Sequence, residues 1–263
     1  KNEEQVPIKK IIINLKTKNM NNNSTLEKMK QLKLWGMSNY FAASLQTREH
    51  EHTTADELLA FLIEAEYDYK RTQRIKNAFK NAMFRYPASI EEISFSKNRN
   101  LDKNTFIRLS DCSFIEKKEN IIITGPTGVG KSYLASALGH QACVMGYRVR
   151  YYNMSKLFSM LKMSKADNSY LKEMARIEKQ DVLILDDFGL HPFDSSTCIS
   201  LLEIIEDRHG KASTIIASQV PVNKWYELLG EQTLADAILD RIIHTSNRIE
   251  LQGDSMRKPK QQK

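Results

Sequence analysis

Hydrophobic residues in the first third of the chain follow the spacing of amphipathic helices. They recur every three to four residues over residues 25–46, with a break expected near Gly36, and again after residue 54. Thr54 and Glu57 have the spacing of a capping box, in which each satisfies a backbone N–H of the other at the start of a helix. The pattern predicts a helical N-terminal module over residues 24–86, too small to bury much surface alone.

After residue 119 the pattern changes to short apolar runs that alternate with helical stretches. Runs of this length between turn residues are typical of buried parallel strands, and the intervening helices make the crossovers between them. The sequence therefore predicts an α/β fold with a parallel sheet flanked by helices. The expected strands are 120–124, 148–152, 181–187 and 214–218, and the expected helices are 131–145, two short ones from near Ser155 and Ser169, 194–209 and 233–244.

A glycine-rich loop follows the first predicted strand. Its residues fit the pattern GxxxxGK[ST], in which backbone N–H groups surround phosphate oxygens and the lysine adds positive charge. The strand before it and the helix after it are in the order that this motif requires, with the positive end of the helix dipole toward the anion. A glycine turn without a ligand is the alternative. The expected nucleotide-binding residues are Gly125, Pro126, Thr127, Gly128, Val129, Gly130, Lys131, Ser132 and Tyr133.

Two carboxylates end the apolar run of the third predicted strand, which we expect beside the loop. Asp186 and Asp187 follow Val-Leu-Ile-Leu directly. Acids at the exposed end of a buried parallel strand favour a metal or a polarised water. We assign Asp186, with the hydroxyl of Ser132, to Mg²⁺, and Asp187 to orienting or deprotonating an attacking water. A helix cap is the weaker alternative, because Phe188 and Gly189 follow instead of a helical run.

Composition narrows the class of protein. The chain has 263 residues, 41% of them hydrophobic and 27% charged, and no apolar run long enough for a membrane span. The three cysteines are far apart in the sequence and do not have the spacing of metal ligands. We therefore expect them to be reduced thiols in a cytoplasmic protein. The net charge of +7 points to a polyanionic partner.

Basic residues cluster in the second predicted helix and at the end of the chain. If the basic side chains of one helix neutralise several phosphates of a nucleic acid, the binding weakens steeply as the salt concentration rises. A solvated helix face remains the alternative, and the loop 162–165 is another place for phosphate contacts. The N-terminal candidates for DNA binding are Lys70, Arg71, Arg74, Lys76 and Lys80, and the terminal cluster contains Arg257, Lys258, Lys260 and Lys263.

Taken together, the motifs resemble those of the IstB family, the transposition-helper ATPases of bacterial insertion sequences, which are related to DnaC helicase loaders and the DnaA initiator. The resemblance extends from Leu26 to Lys258. Besides the loop and the acidic strand, it is carried by Ser218-Gln219, Lys224-Trp225, the run Thr233 to Arg241, and Ser255-Met256-Arg257-Lys258.

The resemblance implies an AAA+ fold in which ATP with Mg²⁺ lies between neighbouring subunits. Arg241 then resembles an arginine finger that reaches the γ-phosphate of a neighbour, with an ordinary ion pair to Asp236 or Asp240 as the alternative. Ser218 or Gln219 resembles the first sensor of that phosphate, and Arg257 resembles a second sensor.

The resemblance also implies a biological role. The protein would assemble as a homo-oligomer on double-stranded target DNA with ATP and recruit or stimulate the transposase of its own element, and hydrolysis would control the assembly. A DnaC-type helicase loader is the nearest alternative, followed by a small-molecule kinase and a DNA-binding scaffold without turnover. The expected organisation is a disordered leader (1–23), the helical module (24–86), a polar connector (87–119), the AAA+ core (120–251) and a basic tail (252–263).

Overall fold

The computed structural model describes residues 22–49, 52–95 and 99–256. Met20 and most of the expected leader therefore lie outside the described residues, as do residues 257–263 of the basic tail, which include Arg257. Backbone contacts divide the chain into two compact units, with the boundary between Arg74 and Ile75.

The N-terminal unit consists of helices. They are α1 (Asn22–Gln31), α2 (Trp35–Thr47) and the first part of α3 (Ala55–Ala82), whose remainder belongs to the second unit. The capping box before α3 is confirmed: Thr54 N donates to Glu57 Oε2 at 2.9 Å, and Glu57 N donates to Thr54 Oγ1 at 3.3 Å. Asn22 and Asn23, which we assigned to the leader, are helical because α1 begins there.

The expected break near Gly36 is confirmed, although Gly36 itself does not make it. The break comes between α1 and α2, where Lys33 has a φ of +58°. Gly36 lies inside α2, and a Cβ added to it would come within 2.2 Å of the Ala65 carbonyl oxygen. The glycine therefore allows the backbones of α2 and α3 to approach closely within the N-terminal unit.

The second unit contains a five-stranded parallel sheet in the order β2-β3-β4-β1-β5. The acidic strand is separated from the loop strand by β4, yet its end lies beside the phosphate loop as expected, because Ser132 Oγ is 2.8 Å from Asp186 Oδ1. The strands are β1 (Asn120–Thr124), β2 (Val149–Asn153), β3 (Val182–Phe188), β4 (Ser213–Ser218) and β5 (Ser246–Glu250).

Helices cover both faces of this sheet. Alternate residues of each strand point to opposite faces, so Ile121 and Ile123 join one core and Ile122 joins the other. The helices that follow β1 are α6 (Lys131–Val144), α7 (Met154–Ala166), α8 (Tyr170–Glu178), α9 (Ser195–Arg208), α10 (Trp225–Leu229) and α11 (Gln232–Ile243), with a 3₁₀ turn at Val222–Lys224. Asp194 caps α9, as its position in the sequence indicates, by accepting from Thr197 N at 2.7 Å.

The segment 87–119 is more than a polar connector. It contains α4 (Lys103–Ser110) and α5 (Ser113–Glu116). Phe106 and Leu109 are buried in the core on the α6 side of the sheet, as are Phe114 and Ile115. Their helices are short, so the apolar spacing was too brief to stand out from the polar residues around it. Among the described residues, no helix combines the length and apolar character needed to cross a bilayer.

Candidate nucleotide-binding site

The loop between β1 and α6 has the backbone that its glycines allow. Gly128 and Gly130 have φ values of +88° and +93°, in the left-handed region that L side chains rarely adopt. A Cβ on Gly128 would also lie 2.1 Å from Ser255 Oγ. A Cβ on Gly130 would lie 2.4 Å from Arg99 Nη2, so both glycines are required by conformation and also by space.

Lys131 is the first residue of α6 and its side chain turns back into the loop. Its Nζ donates to the carbonyl oxygens of Gly125 and Pro126, each at 2.7 Å. The ammonium is thereby held at the N-terminal end of a 14-residue helix, where the helix dipole also favours an anion.

Asp186 lies at the end of β3, almost completely buried, with 1% exposure. Ser132 Oγ donates to its Oδ1 at 2.8 Å, and the Tyr151 hydroxyl donates to its Oδ2. Burial raises the pKa of Tyr151, and the negative charge of Asp186 raises it further, so the phenol remains a proton donor. A hydroxyl and a carboxylate oxygen in contact at a phosphate loop suit the oxygen chemistry of Mg²⁺, so these residues fit that ion.

The next residue, Asp187, is turned toward the pocket by an irregularity in the sheet. The β3–β4 register shifts between Leu185 and Phe188, and Asp187 has a φ of +58°. A bulge of this kind redirects a side chain, and aspartate tolerates the left-handed region better than most residues. The carboxylate accepts from Asn153 Nδ2 at 2.7 Å and lies 3.3 Å from Arg85 Nη1.

Ser218 and Gln219 differ in where the structure puts them. Ser218 is fully buried, and its hydroxyl donates to the Phe188 carbonyl at 2.7 Å and accepts from Val220 N. Our assignment of Ser218 as a phosphate sensor therefore needs correction, because its hydroxyl stabilises the end of β4. Gln219 lies at the site instead, and Thr127 Oγ1 donates to its Oε1 at 2.6 Å.

A cavity of about 380 Å³ connects these groups, within the range of small-molecule sites of roughly 300–1,000 Å³. The loop and Lys131, Ser132, Asp187 and Gln219 line one part of it. The other part includes residues of the segment 88–95. That other part is lined by Glu92, Ile93, Ser94, Arg99, Tyr133 and Met256, with Arg85 and Tyr86 also at the wall.

Arg241 lies away from this cavity, on α11. Its Nε is 2.6 Å from Glu206 Oε2, and its Nη1 donates to the Ala237 carbonyl at 2.8 Å. The ion pair is thus with Glu206 and not with Asp236 or Asp240. The five basic candidates for DNA binding all lie on α3 with exposed side chains, and Lys70 pairs with Glu66 at 3.4 Å.

Several residues at the site escaped the sequence reasoning. Arg85, Tyr151 and Asn153 all contact the acidic pair, and Arg99 reaches over the loop to donate to the Val129 carbonyl at 3.0 Å. Burial lowers the pKa of Arg99. The signal for Asn153 was available, because it ends β2 at the same sheet edge as Asp186.

A phosphate loop after an inner strand of a parallel sheet, with a pair of acids two strands away, is the arrangement of a P-loop nucleotide-binding fold. Solved structures support this fold. The DnaI structure is 24% identical with a TM-score of 0.52 and covers 63% of this chain and 91% of its own. The replication initiator DnaA bound to AMPPCP and single-stranded DNA is 20% identical with a TM-score of 0.55 and covers 65% of this chain and 52% of its own.

Sequence comparison identifies the family. The profile described as "IstB-like ATP binding protein" matches residues 27–263, and the chain belongs to this family. A Sinorhizobium fredii relative, named "Putative insertion sequence ATP-binding protein y4pL", is 38% identical over 91% of this chain and 98% of its own length. A Pseudomonas aeruginosa relative from insertion sequence IS21 is 28% identical over 87% of this chain and 86% of its own. The family resemblance inferred from the motifs is thereby confirmed.

Proposed function

We propose that this chain is an ATP-dependent DNA-binding transposition helper. It assembles on target DNA and recruits or stimulates the transposase of its insertion sequence, and ATP hydrolysis controls the assembly. The chain belongs to a family of insertion-sequence ATP-binding proteins, and this supports a role in transposition. The 2.8 Å contact between Ser132 and Asp186 beside the phosphate loop is the main support for hydrolysis.

The residues at the cavity divide the chemistry among them. The loop amides and Lys131 bind the phosphates, and the Lys131 charge offsets the negative charge that develops on the leaving oxygens. Ser132 and Asp186 would hold Mg²⁺, which would neutralise negative charge at the phosphates. Asp187 orients the attacking water and accepts its proton, and Asn153 fixes the position of that carboxylate.

Gln219 takes the sensor role that we first gave to Ser218 or Gln219. Its amide is positioned by Thr127 of the loop, so a phosphate held by the loop is next to it. Arg241 completes the site of a neighbouring subunit, which makes hydrolysis dependent on a homo-oligomer. To reach that site, the Arg241 guanidinium leaves Glu206 and binds a phosphate of the nucleotide in the neighbouring subunit.

DNA is held through its phosphates by the exposed basic residues of α3. Such contacts are insensitive to sequence and weaken as salt rises. The test is duplex DNA binding, measured by fluorescence anisotropy over a salt series with a non-hydrolysable ATP analogue. We expect binding only with the nucleotide, and a shallower salt dependence when Arg71 and Arg74 are both changed to alanine. Changing Lys172 of α8 and Lys179, the residue that follows this helix, to alanine removes the same charge from exposed positions and serves as the control.

The helper role needs its own experiment. The transposase of the same element is incubated with donor and target DNA, with or without this protein and ATP, and strand transfer is quantified. Stimulation that requires both ATP and this protein supports the proposal. Stimulation of a replicative helicase instead would indicate a helicase loader, and phosphate transfer to a small acceptor without any effect of DNA would indicate a kinase.

A further inference from the structure

Arg85 contacts both acids of the site from a part of the chain that the motifs do not include. Its Nη1 is 3.3 Å from Asp187 Oδ2 and 3.6 Å from Asp186 Oδ2. It follows closely after the end of α3 (Ala55–Ala82), and its side chain is 43% exposed toward the cavity that the phosphate loop lines. The guanidinium is therefore part of the same pocket as Lys131.

The backbone around Arg85 is held against the P-loop helix. The ring of Phe84 packs on His140 of α6 with centroids 4.2 Å apart. Gly139 makes room for that ring, because a Cβ there would lie 2.6 Å from Phe84 Cε1. On the other side, the Arg85 guanidinium lies over the ring of Tyr86, 5.4 Å from its centroid. The side chain is thus positioned from both sides and is not simply an exposed arginine near two acids.

The charges around Arg85 allow its guanidinium to exchange the two carboxylates for another anion. Asp186 is nearly buried, and a buried carboxylate requires a positive partner. A guanidinium matches the oxygens of phosphate as well as those of a carboxylate, with two parallel donors. Once Asp186 shares a metal ion, its charge is offset, and the attraction that holds Arg85 on the acids is reduced.

We propose that Arg85 senses the γ-phosphate in the subunit that binds the nucleotide. With ADP it remains on Asp186 and Asp187, and with ATP it exchanges the carboxylates for the terminal phosphate. This inference rests on the proposed ATP-binding function.

The test compares ATP and ADP affinities of the full chain, without DNA and with Mg²⁺, by displacement of a fluorescent nucleotide. Arg85→Ala should weaken ATP binding by about ten-fold or more, the effect of losing a hydrogen bond to a charged group, and leave ADP binding nearly unchanged. Arg150→Ala is the matched control. It removes a cation that holds the same end of α3, where Arg150 Nη1 donates to the Asn81 carbonyl at 2.6 Å, without contacting the acids. Its affinities for both nucleotides should equal those of the wild type.

Each other result has a defined meaning. Equal weakening of ATP and ADP, or unchanged ATP binding, in Arg85→Ala would overturn the sensor role while leaving the proposed function intact. A wild-type protein that binds neither nucleotide would overturn the proposed function itself. If Arg85→Ala does not fold, as judged by its melting curve, Arg85→Lys is measured instead. It keeps the charge without the paired donors and should lose part of the preference for ATP, and an unchanged preference would count against the inference.

Discussion

Changing Asp187 to asparagine tests the hydrolysis chemistry with little disturbance to the fold. Asparagine has nearly the same shape and also tolerates the left-handed conformation that residue 187 adopts, with its φ of +58°. Its amide oxygen can still accept from Asn153, which donates to the carboxylate at 2.7 Å. The substitution therefore removes the negative charge and the proton-accepting oxygen, and little else.

The expected magnitudes follow from these contacts. The ion pair that is lost joins Asp187 to the partly exposed Arg85, so solvent screens it, and its contribution to stability is about 1 kcal/mol or less. In a domain of this size such a loss lowers the melting temperature by roughly 2–4 °C. A general base contributes about 10²–10⁴-fold to a rate, so turnover should fall at least about 100-fold, or about 2.7 kcal/mol in the barrier.

The assay is phosphate release at saturating ATP with duplex DNA, alongside nucleotide titration and thermal melting. Asp181→Asn is the matched control: it is the same substitution just before β3, where Asp181 pairs with Arg148 at 2.7 Å, away from the nucleotide pocket. Asp187→Asn should bind ATP with near wild-type affinity and remain on DNA, whereas Asp181→Asn should turn over normally. Turnover of Asp187→Asn within about ten-fold of the wild type would refute the assignment of the base.

Three further predictions concern other parts of the chain. Arg241→Ala should leave ATP binding mostly intact and abolish DNA-stimulated phosphate release. Normal hydrolysis by this variant would show that Arg241 is not an arginine finger. Gly128→Ala should abolish nucleotide binding in a titration, because its φ of +88° and the 2.1 Å approach of Ser255 Oγ leave no place for a Cβ; retained affinity would contradict this. Thr54→Ala should lower the stability of the N-terminal unit by about 1 kcal/mol in denaturant unfolding, because the capping box with Glu57 is lost, and an unchanged midpoint would count against the cap.

Local motifs explain what could be predicted from the sequence. The phosphate loop is one continuous stretch in which glycine spacing fixes both backbone and chemistry, and the acids end a strand whose apolar run is conspicuous. The strand β5 escaped because only Ile249 among its residues is buried, so it lacks an apolar run. Its pairing with β1 was visible only in three dimensions.

Long-range contacts explain what could not be predicted. Arg85 and Asp187 are separated by 102 positions, and nothing in the sequence around either residue indicates that they meet. Ser218 and Gln219 are adjacent, yet one is buried and the other faces the pocket, because successive side chains at a strand end point to opposite sides. A choice between them required the exact end of β4, which sequence patterns do not give.

The central claim is that the loop binds a nucleoside triphosphate through Lys131. It is tested most directly by equilibrium titration of the purified, folded protein with ATP in the presence of Mg²⁺, together with Lys131→Ala. We predict saturable binding of one nucleotide per wild-type chain and its loss in the variant. A folded wild-type protein without affinity for ATP, or a variant that binds as well as the wild type, would contradict the account.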